Sequence, residues 1–206
     1  LEKNKKVMRY KMLLILAGLF LSFQAGAQQE TLFGNIDDDD IGAFGSPILE
    51  IGAINGQTSG YVGGGGALVI RGFFLGGYGI GTSFANAEIA GTLYDIKLKH
   101  GGLWLGYAPV QYKVVHPYTS LRIGWGKSQL LRGKDADFSE RNFVLTPELG
   151  LEANLFDFLK IAFTGGYRWV NGVDNLPGLD NEDFSNFLGT ITFRIGGFGG
   201  YDEWDW

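Results

Sequence analysis

The chain has 206 residues, of which 45% are hydrophobic and 15% aromatic, with 34 glycines, no cysteine and a formal net charge of −5. That length is one domain's worth, and glycine outside any strict triplet in so apolar a chain excludes collagen-like and disordered classes. The missing cysteines exclude disulfides, thiolate metal sites and a lipid carried on an N-terminal cysteine, so stability has to come from packing and hydrogen bonding.

Lys3, Lys5, Lys6, Arg9 and Lys11 precede an apolar run, Met12 to Phe23, that ends at Ala25-Gly26-Ala27 before Gln28. This is the layout of a cleaved secretory signal peptide over residues 1–27. About a dozen apolar residues are too few for a helix across a bilayer, which needs about 20. Export leaves 12 basic against 21 acidic residues, net −9, which argues against nucleic acid as a partner. No later stretch approaches a spanning helix, so a mature chain that enters a membrane does so as a closed barrel.

Residues 28–42 form a polar lead-in containing Asp37 to Asp40. Counted as a calcium loop from Asp37, Gly42 fits the sixth position but Ile48 stands where a bidentate Glu is required, so a solvated acidic run is the better reading. From residue 43 the chain alternates. Pro47, Leu49, Ile51 and Ala53 oppose Ser46, Ile48, Glu50 and Gly52, with Pro47 read as near the strand's start, and Asn55-Gly56 is a hairpin turn. A second strand, about 59–70, carries Gly63 to Gly66, which requires a sharp bend or large covering neighbours.

Arg71-Gly72 turns into a third strand, 73–83, and 84–95 reads as a longer connection to a fourth, 97–107. Pro109 and Pro117 bracket a shorter link to the fifth, 118–129, in which Leu121, Ile123 and Trp125 oppose Ser120, Arg122, Gly124 and Gly126. After a charged loop, 131–141, the sixth strand sets Phe143, Leu145, Leu149 and Leu151 against Thr146, Glu148, Gly150 and Glu152, with a bulge expected at Pro147. The turn Phe156-Asp157-Phe158 leads to the seventh, where Ile161, Phe163 and Trp169 oppose Lys160, Thr164 and Arg168. A polar loop, 171–185, precedes the eighth, where Phe187, Ile191, Phe193 and Ile195 oppose Thr190, Thr192 and Arg194.

The pattern predicts an all-β fold, an eight-stranded antiparallel up-and-down transmembrane β-barrel over 43–198, followed by a C-terminal tail, 199–206. Connections are short after strands two, four and six and long after three, five and seven, the asymmetry of outer-membrane barrels. With the export signal, this turns the apolar side toward lipid. The run from Tyr61 to Gly81, the segment Pro147 to Lys160 and Gly166 to Gly172 resemble small outer-membrane β-barrel proteins of the Bacteroidetes type. The resemblance implies a barrel of the OmpA/OmpX size class and brings no catalytic residues; residues 199–206 depart from it, since the last strand does not close the chain.

An outward apolar face gathers Glu50, Arg122, Glu148, Glu152, Lys160, Arg168 and Arg194 inside a narrow tube. Eight strands leave room only for side chains, and unpaired charges there would be costly, so the seven are expected to pair as an ionic plug through bidentate Arg–carboxylate bonds. The competing reading is a gated polar path. His100, in the outer half of the fourth strand, and His116, at a turn, are the places for catalysis, but no serine or acid stands beside them in a motif, and the chain is read as a non-enzyme without cofactor or metal.

Phe73, Phe74, Tyr107, Tyr118, Phe156 and Phe158 are expected as one lipid-interface belt, with Trp125, Phe143, Trp169 and Phe187 as the other. The alternative makes them core aromatics of a water-soluble barrel. Charges assigned to the long loops, among them Lys97, Lys99, Arg132, Lys134 and Arg141, are solvated or touch lipopolysaccharide phosphates. The expectation is an outer-membrane barrel with a structural or surface-interaction role and a lumen closed by ion pairs. Its partners would be outer-membrane lipid, lipopolysaccharide as a candidate, and the barrel-assembly machinery. A small-solute channel and a soluble exported lipocalin-like barrel binding an apolar ligand remain the alternatives.

Overall fold

The computed structural model describes residues 41–89, 92–111, 113–132 and 135–199. The predicted signal peptide, lead-in residues 28–40, the calcium-loop candidate from Asp37, Lys134 and tail residues 200–206 lie outside them. In chain order the elements are β1 (Ile41–Ile54), β2 (Gln57–Ile70), β3 (Phe73–Phe84), β4 (Asn86–Ile89), β5 (Thr92–Tyr107), β6 (Val115–Arg132), β7 (Asp135–Phe156), β8 (Leu159–Asn171), α1 (Asn181–Phe184) and β9 (Asn186–Gly197).

Apart from β3 and β4, which do not pair with each other, successive strands pair antiparallel, β1 also pairs with β9, and β3 pairs with β5, which closes the sheet. Because β4 continues β3 past Ala85, these segments build the eight walls of an all-antiparallel up-and-down barrel. Two tight turns have both central residues at positive φ, Asn55-Gly56 and Arg71-Gly72, the twist that lets a two-residue hairpin match its strands. Among the described residues no helix is long and apolar enough to cross a membrane, which leaves strand crossing untouched.

The two-residue period decides what faces where. Leu149 is 69% exposed, Phe163 56% and Phe187 78%, whereas Glu148 is 6% exposed and Arg168 and Arg194 are 0%. Greasy side chains cover the outside, and the strand charges that a barrel folding in water would expose are turned into the bore.

Several boundaries differ from the sequence reading. Strand β1 begins at Ile41, two residues into the expected lead-in, so Pro47 stands mid-strand. The connection expected at 84–95 contains β4 paired with β5, and the loop expected at 131–141 belongs largely to β6 and β7, which stay paired out to Arg132↔Asp135. An antiparallel ladder continues while pairing persists, and charge alone does not end it. Pro117 lies within β6, paired with Leu151.

The bulge expected at Pro147 is absent. The β6–β7 register passes through Leu121↔Pro147 without a shift, and the β7–β8 register is the same on either side, Leu145↔Trp169 and Glu148↔Gly166. Around the proline just the pairs at Thr146 and Pro147 drop out of the β7–β8 ladder, which is what a nitrogen without hydrogen removes. Pro47 leaves the same gap against β9, between Gly45↔Ile195 and Ile48↔Thr192. The register shifts sit instead at Gly60/Tyr61, Leu130/Leu131 and Asn154/Phe156.

The segment 171–185 is not simply polar. Val173, Leu176, Leu179 and Phe184 are buried. The short helix α1 is held by a capping box, Asp180 accepting from the amides of Glu182 and Asp183 while Asp183 accepts from the Asp180 amide. The Asn55 amide donates to the Asp183 carbonyl at 2.8 Å, fastening this segment to the first hairpin.

Candidate functional site

The bore is filled in three levels. At the short-turn end Phe44 of β1, Phe74 of β3, Trp104 of β5 and Tyr118 of β6 point inward, with Phe44–Phe74 and Phe44–Trp104 centroids 5.5 Å apart and edge-on. Glycine makes the room. A Cβ on Gly106 would come within 2.4 Å of the Phe74 ring, and one on Gly65 within 3.0 Å of Trp104. Part of the glycine run in β2 is thus explained by a large covering neighbour. Into this cluster β9 sends Arg194, whose guanidinium carbon lies 4.0 Å from the Phe44 centroid, 4.8 Å from Phe74, 5.2 Å from Phe198 and 5.5 Å from Tyr118.

Arg194 Nη1 donates to Glu152 Oε2 at 2.6 Å, while its Nε and Nη2 have no hydrogen-bond partner and lie among the rings. The ring faces supply what missing carbonyls would, since a cation over an aromatic face gains about 0.5–2 kcal/mol. Glu152 Oε1 lies 3.0 Å from His116 Nε2, and His116 Nδ1 lies 3.0 Å from the Lys113 carbonyl. Lys160 Nζ donates to Gln111 Oε1 at 3.2 Å and stands 4.3 Å from the Phe198 centroid.

Glu50 organises the middle level. Its Oε2 accepts from Arg122 Nη2 at 2.5 Å and its Oε1 from Arg168 Nη1 at 2.9 Å. Arg122 Nη2 also reaches Glu148 Oε1 at 3.1 Å, and Glu148 accepts from Ser120 (2.9 Å), Thr164 (3.2 Å) and Thr190 (2.6 Å). Arg168 Nη2 donates to the Tyr61 hydroxyl at 2.6 Å and its Nε to the Phe184 carbonyl at 3.2 Å, so it joins the ionic level to the segment above it. The level at the opposite end is apolar: Ile54, Leu98, Leu130, Val144 and Val170 line the wall, and Val173, Leu176, Leu179 and Phe184 are buried in the segment between β8 and β9.

All seven charges singled out in the sequence face the bore and are buried, but they divide into two groups. Glu50, Glu148, Arg122 and Arg168 form a neutral quartet, and Glu152, Arg194 and Lys160 gather lower with His116. The expected bidentate forks do not occur: each Arg–carboxylate contact uses one guanidinium nitrogen. Pairing through a shared nitrogen lets Arg122 bridge two carboxylates, Glu148 on the neighbouring β7 and Glu50 on β1 across the bore.

Sequence reading placed His116 at a turn and overlooked it as a partner of Glu152; its even position in β6, in phase with Ser120 and Arg122, was the available signal. The same parity corrects the lower aromatic belt. Phe74 and Tyr118 belong to the interior, 3% and 1% exposed, because Phe73 takes the outward position beside Phe74 and Tyr118 shares the phase of Arg122. Phe73, Phe156 and Phe158 on that belt and Trp125, Phe143, Trp169 and Phe187 on the other do face outward.

His100 Nδ1 lies 2.9 Å from the Tyr78 hydroxyl. No hydrogen bond joins either histidine to a serine, and no group of three metal-ligating side chains occurs, among the described residues. Lys97 and Lys99, read as loop charges, stand on β5 instead.

No protein-family model and no curated protein sequence matches the chain. Among solved structures it is similar to Neisserial surface protein A, with a TM-score of 0.56 and 12% identity, covering 76% of this chain and 96% of that one. It is also similar to Ail, the attachment invasion locus protein of Yersinia pestis, at a TM-score of 0.45, 16% identity and coverage of 76% and 96%. The outer membrane protein OprG from Pseudomonas aeruginosa follows at 0.40, 14% identity and coverage of 76% and 93%. At such identities the likeness is one of fold, carried by the first of these, and it agrees with the closed eight-stranded antiparallel barrel seen here.

Proposed function

We infer that this is an outer-membrane β-barrel, exported by its N-terminal segment, that serves as a structural or surface-interaction protein and does not conduct solutes. The observation that carries this reading is the filling of the bore. A neutral ionic quartet lies between an aromatic level around Arg194 below and an apolar level above, and the side chains in all three are buried. A channel needs a continuous polar path, and Trp104 and Arg194 at one end with Phe184 and Leu176 at the other interrupt it. The outward apolar face supports lipid as the surrounding medium, because a soluble barrel would leave Leu149, Phe163 and Phe187 in water.

No catalytic role is assigned to His100 or His116, whose partners are Tyr78 and Glu152. The test is single-channel recording in a planar bilayer with the mature protein refolded in detergent. The expected record is a flat baseline from protein that shows heat-modifiable gel mobility. Steady unitary currents from such protein would overturn the closed lumen. Folding in water without detergent would overturn the membrane reading.

A further inference from the structure

Across the outer surface, Lys99 of β5 stands directly opposite Lys127 of β6, and Lys127 directly opposite Arg141 of β7. All three face outward and are exposed, and none makes an ion pair among the described residues. Like charges directly opposite one another destabilise a sheet, and two such pairs in one row call for an anion between them. The next row toward the short-turn end is Gly101, Trp125 and Phe143, with Trp125 and Phe143 edge-on at 5.8 Å. Trp at a lipid-facing position marks the membrane–water interface. Two residues further along a strand is about 7 Å, so the cation row stands at the depth of lipid headgroup phosphates.

Beside the row the outer wall is shallowly indented. An outward groove runs over β3, β5 and β6, floored by Gly79 and Gly101 and flanked by Val62 and Trp125, with Lys99 and Lys127 at its outer end. A Cβ on Gly79 would meet nothing within 4 Å, so its missing side chain is what leaves the floor open. The groove thus offers an apolar trough ending in ammonium groups, which fits an acyl chain joined to a phosphorylated head.

We propose that this face binds the phosphorylated glycolipid of the outer leaflet, the lipid A part of lipopolysaccharide. An acyl chain lies in the groove over Gly79 and Gly101, and the phosphates lie against Lys99, Lys127 and Arg141. Three cations spaced by neighbouring strands span about 10 Å, more than one phosphodiester covers, and a headgroup with several phosphates matches them. The proposal rests on the outer-membrane reading above, since it takes the outward face to be the lipid face.

The test uses the mature protein in phosphatidylcholine nanodiscs, titrated with fluorescent bisphosphorylated lipid A or with phosphatidylglycerol. Wild type is expected to bind lipid A at least tenfold more tightly than phosphatidylglycerol. Lys127→Ala is expected to weaken lipid A binding several-fold and the triple variant with Lys99→Ala and Arg141→Ala at least tenfold. Lys113→Ala, the same loss of charge at the opposite end, should match wild type. Equal affinity in wild type and the folded triple variant would overturn the site, and equal affinity for both lipids would overturn the choice of occupant. If the triple variant does not refold, Lys127→Ala alone decides. Wild-type protein that lacks heat-modifiable mobility in the nanodisc would instead sink the membrane reading.

Discussion

Glu50→Ala is the sharpest probe of the bore. The Glu50 carboxylate is the only partner joining Arg122 and Arg168 among the described contacts, at 2.5 and 2.9 Å, and both side chains of each pair are at most 1% exposed. After truncation Arg122 keeps Glu148 at 3.1 Å, while Arg168 keeps only neutral acceptors, the Tyr61 hydroxyl and the Phe184 and Ala53 carbonyls. Removing one member of a buried pair costs about 3–5 kcal/mol, because the charge left behind is uncompensated. With a urea dependence of about 2 kcal/mol per M, the unfolding midpoint should fall by about 2 M. The assay is urea unfolding from phosphatidylcholine vesicles, followed by tryptophan fluorescence and by the mobility of unheated samples. Arg168→Ala and the double variant complete a cycle, and the double should cost at least about 1 kcal/mol less than the two singles together. Singles that add within about 0.5 kcal/mol, or a Glu50→Ala cost under about 1 kcal/mol, would refute the claim that the quartet holds the bore shut.

Leu149→Arg places a charge on the outward face and should destabilise the protein in vesicles by about 2–4 kcal/mol, read by the same unfolding assay; a neutral effect would argue that the face sees water. Arg194→Lys keeps the charge but replaces the planar guanidinium that covers Phe44, so a loss of about 1–2 kcal/mol is expected, and full retention of stability would show that the ring contacts contribute nothing. Phe184→Ala should loosen the segment between β8 and β9 at a cost of about 3–5 kcal/mol if it unfolds with the barrel. The expected signs are faster proteolysis near Pro177-Gly178 and, because the ionic quartet below is intact, still no conductance.

Parity carried the readable part of the sequence. Once Leu149, Phe163 and Ile191 are assigned to one face, Glu148, Arg168 and Arg194 have to lie on the other, and no knowledge of their partners is needed. Partner choice was less legible, because it depends on strand stagger: Glu50 meets Arg168 across 118 residues of chain, a distance that alternation says nothing about. Nearness to a turn suggests an outward Phe74 and Tyr118, but their phase along the strand decides and puts both inside. The acids of 171–185 suggest a polar loop, although Val173, Leu176 and Leu179 recur every third residue and mark a face that needs covering. Pro147 invited a bulge because a central strand should not hold proline, and the ladder simply omits the pairs it cannot make.

The rings around Arg194 come from opposite extremes of the barrel sequence, Phe44 from the first strand and Phe198 from just beyond the last. The level that stoppers the short-turn mouth therefore cannot assemble until the final strand arrives, and the same event seals the seam between β1 and β9. A polypeptide ending before residue 186 would lack both the stopper and the seal, and would present β1 and β8 as two open edges for misassociation. Closure of the wall and closure of the pore are one step in this molecule's biogenesis, and its first strand has to wait for its last.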